Sequence, residues 1–191
     1  MKENITAAVL GNCQALGRWL SENGVDTTTW NSADAKGIHA LWHELERGET
    51  TLSAGPIRRN VRVVALLIKR GDDILFEVAQ KMRDGRVRRR SLPPSEKLVV
   101  GEDPFKGARR CLREELNVDP AGVLVSYAGK EERERDSPSY PGIRSVYEVH
   151  YVTLALPQLP DHDFTIPNRG DADEIVTHTW GWRPHGGQYP L

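Results

Sequence analysis

Apolar positions along the chain change period several times, and each change marks an element. Val9, Cys13, Leu16 and Leu20 recur at helical steps, and Asn23-Gly24 ends that pattern. A second helix is expected to start near Ser32 or Asp34, with Ile38, Leu41, Trp42 and Leu45 on one face and Gly48 as its stop. Near Gly55 the pattern shifts to strands. Val61–Lys69 is β-branched and apolar, Gly71-Asp72-Asp73 is a turn, and Ile74–Gln80 is a second strand, so the pair reads as a hairpin. Phe105, Ala108, Leu112 and Leu116 again follow helical spacing. Val123–Tyr127 and Val146–Leu156 read as strands. His178, Trp180 and Trp182 alternate on one face of a last short strand. The run 131–142, EERERDSPSYPG, reads as a mobile loop.

Strands on either side of one central helix, with other helices before them, predict an α/β/α sandwich on a mixed sheet. The expected division is a helical extension over residues 1–54 and a main domain over 55–191. Two short helices bury too little to fold alone, so they should pack on the rest of the chain. Trp19, Trp30 and Trp42 are the expected docking residues, with a separate binding surface as the other reading.

The helix around Leu112 carries the candidate chemistry. Asp103 is a good N-cap, Pro104 fits the first helical position, and Asn117 suits the left-handed end. Cys111, Glu114 and Glu115 lie at i, i+3 and i+4 and share a second face. Adjacent acids at a fixed helical position suit a hard divalent cation. They also suit a solvated surface, with Arg110 and Glu114 as an ordinary ion pair.

The segment Gly101–Val118, GEDPFKGARRCLREELNV, resembles the Nudix box, G-x5-E-x7-R-E-U-x-E-E-x-G-U with U aliphatic. Glu102, Arg110, Leu112, Glu114, Glu115 and Val118 fall on matching positions, and the preceding LPPSEK resembles the family's leucine-proline-glycine-glycine turn. Three positions depart: Glu96 stands for the first glycine, Cys111 for the glutamate after arginine, and Asn117 for the late glycine. The resemblance spans roughly residues 58 to 183. It implies the Nudix fold and hydrolysis of a diphosphate in a nucleoside-diphosphate-linked substrate with Mg²⁺ or Mn²⁺. Glu114 and Glu115 would be metal ligands, with Glu102 a supporting acid. A neutral thiol at Cys111 cannot replace a carboxylate toward a hard cation, and losing one base or ligand costs about 10²–10⁴ in rate. Glu96 restores one carboxylate and is the expected compensating catalytic acid. The other outcome is a catalytically weak Nudix-like module that senses a nucleotide or docks a partner.

Arginines at Arg86, Arg88 and Arg90 would share one strand face just upstream, where guanidinium forks could take a diphosphate. A solvated strand edge is the alternative. One of Glu131, Glu132 and Glu134 could join the site as an acid from beyond the box. Trp180 and Trp182 could stack on a base, though core packing is the commoner role for such residues. His39 and His43 lie four apart with no third ligand nearby, and His162 and His178 show no partner in the sequence.

Composition narrows the class. With 26 basic and 27 acidic residues the net charge is −1, which argues against nucleic acid as the main partner. Two cysteines give no disulfide framework or metal spacing, which fits a reducing compartment. No apolar run approaches the ~18 residues of a membrane span, so a cytoplasmic protein without a membrane partner is expected. A homodimer is open as an assembly state.

Overall fold

The computed structural model describes residues 4–32, 35–168 and 175–184. Helices α1 (Ala7–Leu10), α2 (Cys13–Glu22) and α3 (Ile38–Glu46) precede strands β1 (Thr51–Ser53), β2 (Arg58–Arg70), β3 (Asp73–Met82), β4 (Val87–Leu92) and β5 (Ser95–Leu98). Helix α4 (Pro104–Leu116) follows, then β6 (Ser126–Asp136), β7 (Arg144–Leu154), β8 (Phe164–Pro167) and β9 (Ile175–Pro184). The class is α/β with a mixed sheet, as expected. Neighbouring strands run β6-β7-β2-β3-β9-β8, with β1 and β5 on β2 and β4 on β3. No helix among the described residues is long and apolar enough to cross a membrane.

Two compact units form. Among the described residues, one lies within 4–63, 97–102 and 131–149 and the other within 64–96, 103–130 and 150–184. In the first, Leu16 and Leu20 of α2 and Leu41, Trp42 and Leu45 of α3 share a buried core with Trp30, Leu52, Tyr140 and Ile143. Trp30 Nε1 donates to the Pro141 carbonyl at 3.0 Å, and its ring lies 5.3 Å from Tyr140. Trp19 is partly buried against the same core. The three tryptophans are therefore packing residues within this unit. A buried ion cluster ties α3 to β2: Glu44 lies 2.5 Å from Arg59 Nη2 and 2.9 Å from Lys97 Nζ. Burial works against the Glu44 carboxylate, but Arg59 and Lys97 outweigh it and bring its pKa down to about 2.

Several boundaries depart from expectation for local reasons. The first helical stripe is broken at Gly11, whose φ of 82° is left-handed, and Asn12 starts α2 by accepting from Ala15 N–H. Val9 falls outside that stripe and is exposed. Helix α3 begins at Ile38, later than Ser32, and Asp34 lies outside the described residues. Gly48, with φ 68°, follows its end as expected. The charged run from Glu131 is not a loop, because β6 extends to Asp136. Its side chains alternate without an apolar face and are held by ion pairs, Glu134 with Arg58 and Arg144 at 3.2 and 3.4 Å. Only its tail turns, where Tyr140 is buried. The strand expected at Val123 starts at Ser126 instead.

In the second unit, β2 and β3 form a hairpin only at its base, pairing Lys69 with Ile74 and Arg70 with Asp73. Beyond that, β3 is flanked by β4 and by β9, both antiparallel. Within LPPSEK the expected turn gives way to β5, and Leu66 N–H donates to the Pro94 carbonyl at 2.8 Å.

Candidate active site

Helix α4 forms over Pro104–Leu116 as its caps predict. Asp103 Oδ1 accepts from Phe105 N–H at 2.9 Å, Pro104 opens the helix, and Asn117 closes it at φ 53°. Ala108, Leu112 and Leu116 are buried. Cys111 is buried with them, which corrects its expected place on the acidic face. Burial, reinforced by nearby Glu115 and Glu96, raises its thiol pKa well above the ordinary value, so it stays neutral.

Four carboxylates influence one another near the end of this helix. Glu96 of β5 lies 3.0 Å from Arg110 Nη1, and Arg110 also reaches Glu114 at 3.6 Å. Glu114 is exposed and Glu115 half-buried. Glu77 of β3 is the fourth acid, buried, with Oε1 accepting from His178 Nδ1 at 2.5 Å and from Gln80 Nε2 at 2.6 Å. Its Oε2 lies 2.8 Å from Arg90 Nε. Glu115 makes no hydrogen bond or ion pair among the described residues. Burial, with repulsion from Glu96, Glu77 and Glu114, pushes its pKa up to about 7, against the opposing pull of His178. The His178 pKa is raised: burial disfavours its charged form, but the Glu77 hydrogen bond and the Glu115 charge prevail.

Glu77 and His178 are the residues that sequence reasoning missed. The available signal was an acid and an amide, Glu77 and Gln80, inside an otherwise apolar strand, since a buried charge needs partners. What aligns them is a register shift between Glu77 and Ala79, which lets residues three apart reach the same side.

Carboxylate oxygen is the donor type that a hard divalent cation takes. Glu77, Glu96, Glu114 and Glu115 offer carboxylate oxygens, which suit Mg²⁺ or Mn²⁺, whereas the neutral Cys111 thiol does not. Among the described residues no three His, Cys, Asp or Glu side chains are gathered so as to hold a metal ion. Arg110 stands between Glu96 and Glu114 instead.

The arginines divide. Arg88 donates through Nε to Gln80 Oε1 at 3.0 Å and through Nη2 to the same oxygen, and Arg90 pairs with Glu77. Arg86 leaves this row: it is largely exposed and pairs with Asp84 at 2.6 Å in the β3–β4 turn. Base stacking does not fit Trp180, which is 2% exposed and lies against His178 at 6.2 Å between ring centres. Trp182 is already covered by Arg70, 4.1 Å over its ring, and donates to the Pro160 carbonyl. Both tryptophans are packing residues.

Glu102 belongs to the first unit, where its carboxylate accepts from Val99 N–H at 3.0 Å and shapes the turn before α4. Glu131 and Glu134 are in that unit too, paired with Arg133 and with Arg58 and Arg144. Glu132 lines a cleft of about 350 Å³ there, with Arg62 and Glu148 on its wall. His43 pairs with Glu46, and His39 lies near Cys13 Sγ at 3.6 Å.

No family model matches the chain, and no curated protein matches it. Solved structures do. The E. coli dihydroneopterin triphosphate pyrophosphohydrolase is similar at 18% identity, with a TM-score of 0.38 over 64% of this chain and 78% of that one. A NUDIX hydrolase from Nitrosomonas europaea gives 19% and 0.39, over 64% of this chain and 72% of that one. The C. elegans Ap4A hydrolase gives 18% and 0.36, over 65% and 80%.

Proposed function

We propose that this chain is a divergent Nudix-type hydrolase that cleaves a diphosphate linkage in a nucleoside-diphosphate-linked substrate with Mg²⁺ or Mn²⁺. The observation that carries this reading is Glu115: a half-buried carboxylate without an ion pair among the described residues, repelled by three others and raised to a pKa of about 7. Such an arrangement is relieved by a cation more readily than by a proton at neutral pH. Glu114 and Glu115 would hold it, with Glu96 assisting once Arg110 turns aside. When bound, the cation supplies charge neutralisation for a phosphate and acidifies a water molecule. Glu96, as an ionised carboxylate, would supply the base that the neutral Cys111 cannot, receiving a proton from the attacking water. Arg88 and Arg90 bind phosphate oxygens.

A catalytically weak nucleotide-binding module is the second reading. It is favoured by the same Arg110 bridge, which satisfies Glu96 and Glu114 without a metal, and by the uncharged Cys111. Turnover of a panel of nucleoside diphosphate derivatives with Mg²⁺ or Mn²⁺ separates the two. The hydrolase reading expects metal-dependent cleavage, lost by about 10²-fold or more in Glu96→Gln. Ligand-induced stabilisation without any cleavage would favour the module. Unchanged turnover in Glu96→Gln would remove that residue from the chemistry.

A further inference from the structure

We propose that Gln80 and Glu77 are positioning residues that present Arg88 and Arg90 to a phosphate group. This rests on the diphosphate reading above and adds how the anion subsite is built.

The register shift between Glu77 and Ala79 is the structural cause. In a regular strand residues three apart point to opposite faces. Here both side chains reach the arginines of β4, where Arg88 is the cross-strand partner of Gln80. Arg88 uses Nε and Nη2 on Gln80 Oε1, and Arg90 sets Nε 2.8 Å from Glu77 Oε2. The Arg90 Nε is buried and its N–H is not aimed along that line, so the contact is an ion pair rather than an aligned hydrogen bond. Neither arginine has another hydrogen-bond or ion-pair partner among the described residues. A guanidinium carries five N–H donors. Nη1 of Arg88 and both terminal nitrogens of Arg90 are therefore uncommitted, and they are the groups that fork onto phosphate oxygens.

Charge and order favour an anion there. Gln80 is neutral, so it orients Arg88 without cancelling it. The one carboxylate in the row, Glu77, is shared between Arg90 and His178. Within the row itself two guanidinium groups face one carboxylate, while Glu115, Glu96 and Glu114 lie beyond it. Because the inner edges are already held, less side-chain freedom is lost when a ligand binds.

Calorimetric titration with inorganic pyrophosphate, in EDTA, tests this through a double-mutant cycle. Wild-type protein should bind, and Arg88→Ala/Arg90→Ala should lose binding. Gln80→Met should weaken binding by about 5-fold in the wild-type background, the scale of one lost hydrogen bond, and by little in the Arg88→Ala background. Equal losses in both backgrounds would mean that Gln80 acts only on the fold, and would overturn the inference. So would unchanged affinity in Gln80→Met while the arginine double variant fails to bind. No pyrophosphate binding by wild type would instead overturn the phosphate role of the arginines, and the inference with it. Should Gln80→Met fail to fold, Gln80→Asn, which keeps the amide but shortens its reach, gives the same cycle.

Discussion

Glu115 and Cys111 are four residues apart on one helix and have opposite fates. Cys111 faces inward and is fully buried, so its neutral thiol adds to the core. Glu115 is half-buried and keeps its proton to about pH 7, because burial and the charges of Glu96, Glu77 and Glu114 disfavour ionisation. The consequence for stability has a definite sign. An unfolded glutamate ionises near 4.5, so between that value and about 7 the folded state binds more protons than the unfolded one. Stability of the metal-free protein therefore falls as pH rises through this window. Glu115→Gln removes the penalty. In EDTA it should raise the thermal midpoint at pH 8 by the equivalent of about 1–3 kcal/mol and change little at pH 4. An equal effect at both values would show that Glu115 is not held protonated by its neighbours.

At the scale of elements, what is encoded locally was legible and what depends on pairing was not. Helix α4 could be read end to end because Asp103, Pro104 and Asn117 are caps acting on their own backbone. Arg88 and Arg90 were placed on one strand face by simple alternation, and both do reach side chains of β3. Arg86 obeys the same parity, yet it falls before the start of β4 and turns back to Asp84. The row formed by Glu77, Gln80 and His178 was hidden because it needs a register shift in β3 and a partner about a hundred residues away in β9. Strand β6 was hidden for a different reason. Its alternation is of charge with charge, so no apolar face marks it. The face shared by His178 and Trp180 was legible, but how deeply β9 is buried was not.

For the molecule as a whole, the two compact units carry different kinds of electrostatics. In the unit containing the N-terminal helices, charges are matched: Glu44 meets Arg59 and Lys97, and its pKa lies at about 2 against an ordinary 4.5. Its stabilisation is complete above 4.5 and is lost as pH falls from there toward 2, on the order of 3 kcal/mol. Glu44→Gln, which leaves Arg59 buried without its carboxylate, should destabilise strongly at pH 7. Chemical denaturation should show that loss shrinking toward pH 2; a loss independent of pH would contradict the ion cluster's role.

In the unit carrying α4, Glu96, Glu77 and Glu114 raise the cost of ionising Glu115, and the proposed catalytic chemistry depends on a cation that relieves it. Mn²⁺ titration by calorimetry at pH 8 measures this most directly, comparing wild type with Glu114→Gln/Glu115→Gln. The account predicts binding by wild type and a loss of at least about 10-fold in the double variant. Mn²⁺ affinity unchanged by the double substitution would contradict it.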